Sequence, residues 1–465
     1  MPFFQPLPSH SPTKTKKKEY LCARIKRHGA LKTNREILRL AVPNVISNIT
    51  IPLLGMVDMA VAGRLGSEAT IGALAVGTST FNFIYWNCAF IRMGTSGLTA
   101  QAYGARREQE CANNLVRGVV VALVLAFALL LFRKPVGSLA LRLMGGSSEV
   151  QALAGEYFFH RIWAAPASIA LFAMQGWFIG MQDSRTPMYT ALLSNVINIG
   201  TCLWFVFGMG MGIKGIALST VAAQYGGLLF SIVMLATRYR GVLAKIDLRS
   251  SLHREPMRRF FSVNKDIFIR SLCVVSVYTF FTAASSRFGD LTLAANALLM
   301  QLFTLYSYMS DGFAYAAESL TGRFVGERNR PALRSSIRGL ALWSLGIAVL
   351  FVGVFFFGWD GIMLLFNSTD AIIAEAKEYI VWVVAVPLVG FLPFLIDGIM
   401  LGATRTRVLR NTLLISTAIF YAMFYSLVGT LGNNALWLSF VVFIFLRGAI
   451  LYFATDRLSA DRLIE

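Results

Sequence analysis

The stretch Asn48-Ile-Thr-Ile-Pro52-Leu-Leu-Gly-Met-Val-Asp58-Met-Ala-Val-Ala-Gly63 places one carboxylate inside an otherwise apolar segment of membrane length. An ionisable side chain at bilayer depth costs about 3 kcal/mol on insertion scales, so it is by default a functional-site candidate facing a cavity or a partner. Pro52 removes a backbone donor and frees the carbonyl of Asn48, and Pro43 does the same nearer the start of the segment. The two prolines predict a first helix that bends beside its acid.

The composition around this stretch is that of an integral membrane protein. The 465 residues are 56% hydrophobic and 14% charged, with a mean hydropathy of +0.61, whereas soluble domains carry roughly 25% charged residues. Twelve apolar segments approach or exceed the roughly 20 residues needed to span: 37–63, 69–102, 114–132, 153–181, 187–208, 213–237, 266–286, 291–324, 336–357, 372–401, 411–430 and 434–456. The start, residues 1–35, is basic and lacks the apolar core of a signal peptide, so it reads as a retained tail. The net charge of +19 sits mostly in this tail and in the loops at 238–262, 326–334 and 403–410, all on one face of a twelve-span layout. That distribution follows the positive-inside rule, which makes the face cytoplasmic along with both termini and accounts for the charge without nucleic acid. Five cysteines, scattered and without CxxC spacing, indicate neither a disulfide framework nor a metal site.

The chain repeats itself. Arg64-Leu-Gly66 matches Arg287-Phe-Gly289 at a shift of 223, and Gln101 to Arg106 matches Arg323 to Arg328 at 222. Glu156-Tyr157 matches Glu378-Tyr379, Gly176 matches Gly398, and Gly180 matches Gly402, again at 222. Six spans per copy keep both copies in the same orientation, as expected for parallel repeats about an axis along the membrane normal. The fold class expected is therefore all-α integral membrane, twelve transmembrane helices in two six-helix lobes related by pseudo-two-fold symmetry. The divisions are 1–35 tail, 36–237 first lobe, 238–262 cytoplasmic linker, 263–457 second lobe and 458–465 tail. Two lobes facing one cavity is an alternating-access layout. Nucleotide-binding, zinc-protease and nucleophile-elbow motifs are missing, so neither an enzyme nor an ATP-driven pump is indicated.

Pro43-Asn44, Val57-Asp58, Arg64-Leu-Gly66, the run Arg92 to Arg106, and Asp311-Gly-Phe-Ala-Tyr-Ala-Ala-Glu318 together resemble the multidrug and toxic compound extrusion family in its DinF-like branch. The resemblance covers residues 36–455. It implies a secondary exporter of cationic or amphipathic organic compounds, coupled to H+ or Na+, without cofactor, working as a monomer in a bacterial inner membrane. It also carries over a first-lobe coupling site of Asp58, Asn198 and Thr220. Four residues after Asn198, where Na+-binding relatives carry an aspartate, this chain has Cys202. A hard cation wants several oxygen ligands, so the exchange favours protonation of Asp58 over Na+ chelation. Independently of the family, desolvation disfavours a charged carboxylate, which is the physical basis of a proton site. A Na+-coupled exporter and a lipid-linked oligosaccharide flippase of the same superfamily remain as alternatives.

Other polar residues in the spans admit two readings each. Asp58 could instead pair with Arg92 to hold helices together. Asp311, Glu318 and Asp397 form either a second cation or drug site, with Asp397 the first-choice ligand, or a polar network with Arg447. Asn195 and Asn198 share a helix face suited to interhelical hydrogen bonds or to ion coordination. His160 and Arg161 are placed to pair with Glu156, and the polarizable side chains of Phe83, Tyr85, Trp86, Met174, Trp177, Tyr306 and Met309 are candidates to line a drug cavity.

Overall fold

Apolar runs bounded by glycine, proline and short polar turns become helices in a bilayer, where backbone groups find no partner but each other. The computed structural model describes residues 14–145, 147–366, 369–454 and 460–464. The first half contains α1 (Lys14–Gly63), α2 (Glu68–Cys88), α3 (Phe90–Gly104), α4 (Glu108–Leu131), α5 (Arg133–Met144), α6 (Ser148–Arg161), α7 (Ala165–Gly180), α8 (Arg185–Leu203) and α9 (Gly212–Arg238). After α10 (Arg240–Leu243) and α11 (Leu248–Ser251), the second half has α12 (Arg254–Ser285), α13 (Asp290–Gly326), α14 (Arg330–Phe357), α15 (Trp359–Phe366), α16 (Asp370–Glu378), α17 (Ile380–Gly402), α18 (Thr406–Leu431), α19 (Asn433–Ala454) and α20 (Ala460–Ile464). Among the described residues, ten helices are long and apolar enough to cross a membrane. The segments α2–α3 and α13 lie outside that set, and they hold the charged residues Arg92, Asp311 and Glu318. With 37 residues, α13 is nonetheless about 55 Å long at 1.5 Å per residue.

Several boundaries differ from the sequence reading, for one reason: a helix continues past the bilayer wherever its polar turns find partners. The basic tail is helical from Lys14 and runs into the first span through Pro43 and Pro52 as one helix. The linker assigned to 238–262 is shorter, because α12 begins at Arg254. What is left of it is fastened to the first lobe. The buried Arg117 on α4 donates Nε–H to the carbonyl of Ser251 at 2.8 Å, and the Ser251 hydroxyl donates to Asn113 Oδ1 at 2.8 Å. At the other end of the chain, Asp461 on α20 pairs with Arg330 at 3.1 Å and Arg334 at 2.9 Å.

The duplication is visible in the packing. A Cβ on Gly176 would stand 2.2 Å from the carbonyl oxygen of Arg92, and one on Gly398 would stand 2.3 Å from that of Ala314. Gly180 and Gly402 press in the same way on the backbone at Ser96 and Glu318, at 2.8 and 2.3 Å. All four pairs are related by the 222-residue shift, so α7 crosses α3 as α17 crosses α13. The helix ends repeat too. Arg106, Gln182, Arg328 and Thr404 hold φ between 53° and 64°. In each case the next residue's N–H reaches back across the last turn, Arg107 to Ala102, Asp183 to Phe178, Asn329 to Phe324 and Arg405 to Met400, all at 2.9 Å.

The lobes meet about this symmetry. Gly104 abuts the carbonyl of Arg323, and Gly326 abuts that of Gln101, each contact being the 222-shifted image of the other. Gly97 against the Leu401 carbonyl has its image in Ser319, whose hydroxyl donates to the Ile179 carbonyl at 2.6 Å. Ala100 and Gly322, images of one another, touch at the axis. These contacts lie near the end that carries the basic loops, as do Gln101 Nε2 to the Gly402 carbonyl (3.0 Å) and Gln182 Nε2 to the Ser319 carbonyl (2.8 Å).

Gly398→Ala inserts a methyl group against a backbone carbonyl that cannot swing away. The expected cost is about 1–3 kcal/mol, read as a lower thermal-unfolding midpoint of the detergent-solubilised protein. Gly346→Ala, at a helical position with nothing within 4 Å, should leave the midpoint unchanged or raise it; equal midpoints for the two variants would refute the close-approach account.

Candidate ion and substrate sites

In the first lobe α8 and α9 lie side by side and bring two of the three expected coupling residues into contact. Asn198 donates Nδ2–H to Thr220 Oγ1 at 3.3 Å, and the Thr220 hydroxyl is 3.3 Å from the carbonyl of Ile216. Asn198 is fully buried, and its carbonyl oxygen Oδ1 has no donor among the described residues. Across from them on α1, Asp58 is half-buried, with Oδ1 buried and without a hydrogen-bond partner. Cys202, one turn beyond Asn198 and fully buried, lies within electrostatic reach of Asp58. Two acceptor oxygens, Asp58 Oδ1 and Asn198 Oδ1, thus lack hydrogen-bond partners among the described residues, and Cys202 adds a thiol that supplies neither charge nor oxygen.

The cation near this acid is Arg161. It lies within electrostatic reach of Asp58, donates to the Tyr157 hydroxyl, and stacks over the Phe81 ring at 4.7 Å. The expected pairing of His160 and Arg161 with the Glu156 carboxylate does not form. That carboxylate is taken by Lys214 on α9 at 2.7 Å, while His160 Nδ1 contacts only the Glu156 backbone carbonyl at 2.7 Å. Asn195 points elsewhere, donating to the Thr50 carbonyl of α1 at 3.4 Å, which makes it an interhelical tie.

The alternative partner for Asp58 is also excluded. Arg92 faces the second lobe, with Nη1 3.8 Å from Glu318 Oε2 and its guanidinium 3.9 Å above the Tyr315 ring. Asp397, the first-choice ligand among the second-lobe acids, is already occupied: Oδ2 accepts from Arg270 Nη2 at 2.6 Å and from Arg447 Nη2. A carboxylate clamped by two guanidiniums is a structural ion-pair centre. Asp311 is half-buried and makes no ion pair among the described residues, and it sits in the field of Arg92, Arg270, Arg447 and Asp397. Three arginines and three acids therefore balance where the lobes face each other. Arg270 was missed from sequence, although an arginine inside an apolar span is a signal of the same kind as Asp58. Asp266, one turn before Arg270 on the same helix, is an anchor held by Arg410 at 2.6 Å and Thr406 at 3.1 Å.

The candidate drug-lining side chains divide. Met174, Trp177 and Tyr306 are core, with Trp177 Nε1–H bonded to the Cys111 carbonyl at 2.7 Å and the Tyr306 hydroxyl bonded to that of Pro387 at 3.1 Å. Phe83 and Trp86 are exposed, and the Trp86 ring lies 6.0 Å from Tyr278 of the opposite lobe. The first-lobe polar site has no image. Its shifted counterparts are Phe281, Phe420 and Val442, the two rings buried, with Phe281 packed on Trp437 at 4.9 Å and Phe420 on Phe443 at 6.1 Å. Among the described residues no group of three or more His, Cys, Asp or Glu side chains could hold a metal ion.

Comparison with known proteins agrees with this architecture. The MatE family model matches the chain twice, over residues 43–204 and 267–427. DNA damage-inducible protein F of Escherichia coli is 37% identical over 418 residues, covering 90% of each chain. A probable multidrug resistance protein NorM of Synechocystis is 24% identical over 333 residues, covering 70% of each. The crystal structure of a MATE protein in its bent conformation superposes with a TM-score of 0.83 at 20% identity, covering 94% of this chain and 98% of that one. The double match restates the repeat, and with it this chain belongs to the MatE family of multidrug and toxic compound extrusion transporters.

Proposed function

We propose that this protein exports cationic or amphipathic organic compounds by H+ antiport, with Asp58 as the proton carrier. The observation that carries this reading is the pair of buried acceptors, Asp58 Oδ1 and Asn198 Oδ1, left without donors beside the sulfur of Cys202. A proton needs one lone pair, whereas Na+ needs a shell of oxygens that this site lacks. Protonation removes the charge whose burial is costly and so changes which conformation of the first lobe is favoured. Both lobes together are taken as twelve spans, with the basic loops and both termini cytoplasmic, in a bacterial inner membrane, and the protein working as a monomer. The contacts between the lobes at the basic-loop end then correspond to an outward-facing arrangement. The arginines between the lobes are each balanced by acids, which weakens the flippase reading, since a cavity for lipid-linked phosphates needs excess positive charge.

In reconstituted vesicles an imposed pH gradient should drive efflux of an organic cation, and an imposed Na+ gradient should not. Asp58→Asn keeps the side chain's shape but cannot lose and regain a proton, and it should reduce pH-driven efflux to background; undiminished efflux would remove Asp58 from the coupling. Cys202→Asp restores a second carboxylate facing the first and should add a Na+-driven component. If neither gradient responds differently in this variant, the choice of ion is not set by residue 202.

A further inference from the structure

At the basic-loop end, a cavity of about 490 Å³ opens between the lobes. Gln101 of the first lobe lines it, together with Arg259, Thr404, Arg405 and Arg407 of the second and the C-terminal residues Leu463 and Ile464. Its size falls in the range of pockets that take small-molecule groups. Some arginines at this end are paired, Arg330 and Arg334 with Asp461, Arg323 with Glu327, and Arg410 with Asp266. Arg259 and Arg407 are exposed and have no ion-pair partner among the described residues. The one acid in the lining, Asp266, has both oxygens occupied, Oδ1 by Arg410 and Oδ2 by Thr406. Arg405 spends one nitrogen on the backbone carbonyl of Arg462 and still brings its charge to the wall. The cavity therefore has a surplus of positive charge beside an apolar side made by Val263, Val325, Leu463 and Ile464.

We propose that this cavity binds the headgroup of an acidic phospholipid, with the phosphate at Arg259 and Arg407 and the glycerol and first acyl carbons along Leu463 and Ile464. Guanidiniums match phosphate geometry, and basic pockets between membrane helices at the cytoplasmic side suit anionic headgroups. Most of its wall belongs to the second lobe and the C-terminal residues, and the first lobe contributes Gln101. Gln101 reaches it because its amide is bonded to the Gly402 carbonyl at 3.0 Å and to Thr404 Oγ1 at 3.1 Å. A ligand that binds one state of the lobes and not the other shifts the population toward the state it binds. Acidic lipid at this site thus holds the lobes together at the basic-loop end and opposes the step that separates them there. This holds whichever ion drives transport.

The test uses the full chain in phosphatidylcholine nanodiscs, titrated with short-chain phosphatidylglycerol or with inorganic phosphate, and follows the thermal-unfolding midpoint. Spin labels at Arg106 and Arg328, in a background without native cysteines, report the separation of the lobes at this end. The wild type should show saturable stabilisation by phosphatidylglycerol and a larger fraction at the short distance. R259Q/R407Q changes two exposed side chains, so folding is preserved; it should bind the lipid roughly thirtyfold more weakly, since each basic residue near the surface contributes about fivefold, and lose the distance shift. Equal affinity in the double variant, or the same stabilisation by inorganic phosphate alone, overturns the lipid assignment. Lipid binding without a distance shift overturns the conformational part.

Discussion

A charge held away from water must be balanced within the protein, and the interior of this molecule is arranged by that requirement. Between the lobes, the guanidiniums of Arg92, Arg270 and Arg447 meet the carboxylates of Glu318, Asp311 and Asp397. Asp397 is the most heavily engaged, with two arginines on one oxygen. Removing one member of such a group leaves a buried charge uncompensated, which typically costs about 3–5 kcal/mol. Asp58 is treated differently. Its nearby cation, Arg161, is tied to Tyr157 and Phe81 and makes no ion pair with it, and a carboxylate oxygen is left bare. The ion pairs of the second lobe and the bare carboxylate of the first answer to the same constraint, and in the second lobe too Glu318 and one oxygen of Asp397 lack hydrogen-bond partners among the described residues.

Duplication explains which features are shared and which are free to diverge. The glycines at 176, 180, 398 and 402 sit where backbone meets backbone, and any side chain there would collide in either lobe. Helix-end geometry at Arg106, Gln182, Arg328 and Thr404 is equally shared, because it turns the chain at the same four places. Side chains inside each lobe have no such obligation. Where the first lobe keeps Asp58, Asn198 and Thr220, the second has Phe281, Phe420 and Val442, and aromatic edge-to-face contacts replace the polar site.

This division also accounts for what could be read from the amino-acid sequence. The repeat was legible because close approach demands glycine whatever surrounds it, and Asp58 was legible because an acid in an apolar run is unusual in any context. Asn198 and Thr220 were named together through the family resemblance, and in the structure the two side chains are 3.3 Å apart. Pairings between distant helices were not legible. Glu156 was matched to its sequence neighbours His160 and Arg161 by helical spacing, and its actual partner, Lys214, lies on α9. For Asp397 the alternative of a polar network with Arg447 is the one the structure shows, while Arg270, the second arginine on it, was not foreseen. The ends of α1 and α12 were placed too far inside the chain, since polar turns outside the bilayer carry no hydropathy signal even when the helix continues.

The asymmetry has a mechanical consequence. The interface at the axis is close to symmetric, from Ala100 against Gly322 out to Gly104 and Gly326, so the lobes can rock about it without either backbone changing its own packing. A symmetric hinge has no preferred direction and responds to whatever differs between the lobes. One such difference is the polar site on α1, α8 and α9, the site proposed above to take up the coupling proton. The matching positions of the second lobe are filled by apolar side chains, although its Asp311, like Asp58, makes no ion pair among the described residues. On the proposed function, a neutralisation in one lobe would bias a motion shared by both. The helix that carries Asp58, α1, also reaches the second lobe, where Asn48 donates to the Tyr308 carbonyl at 3.1 Å.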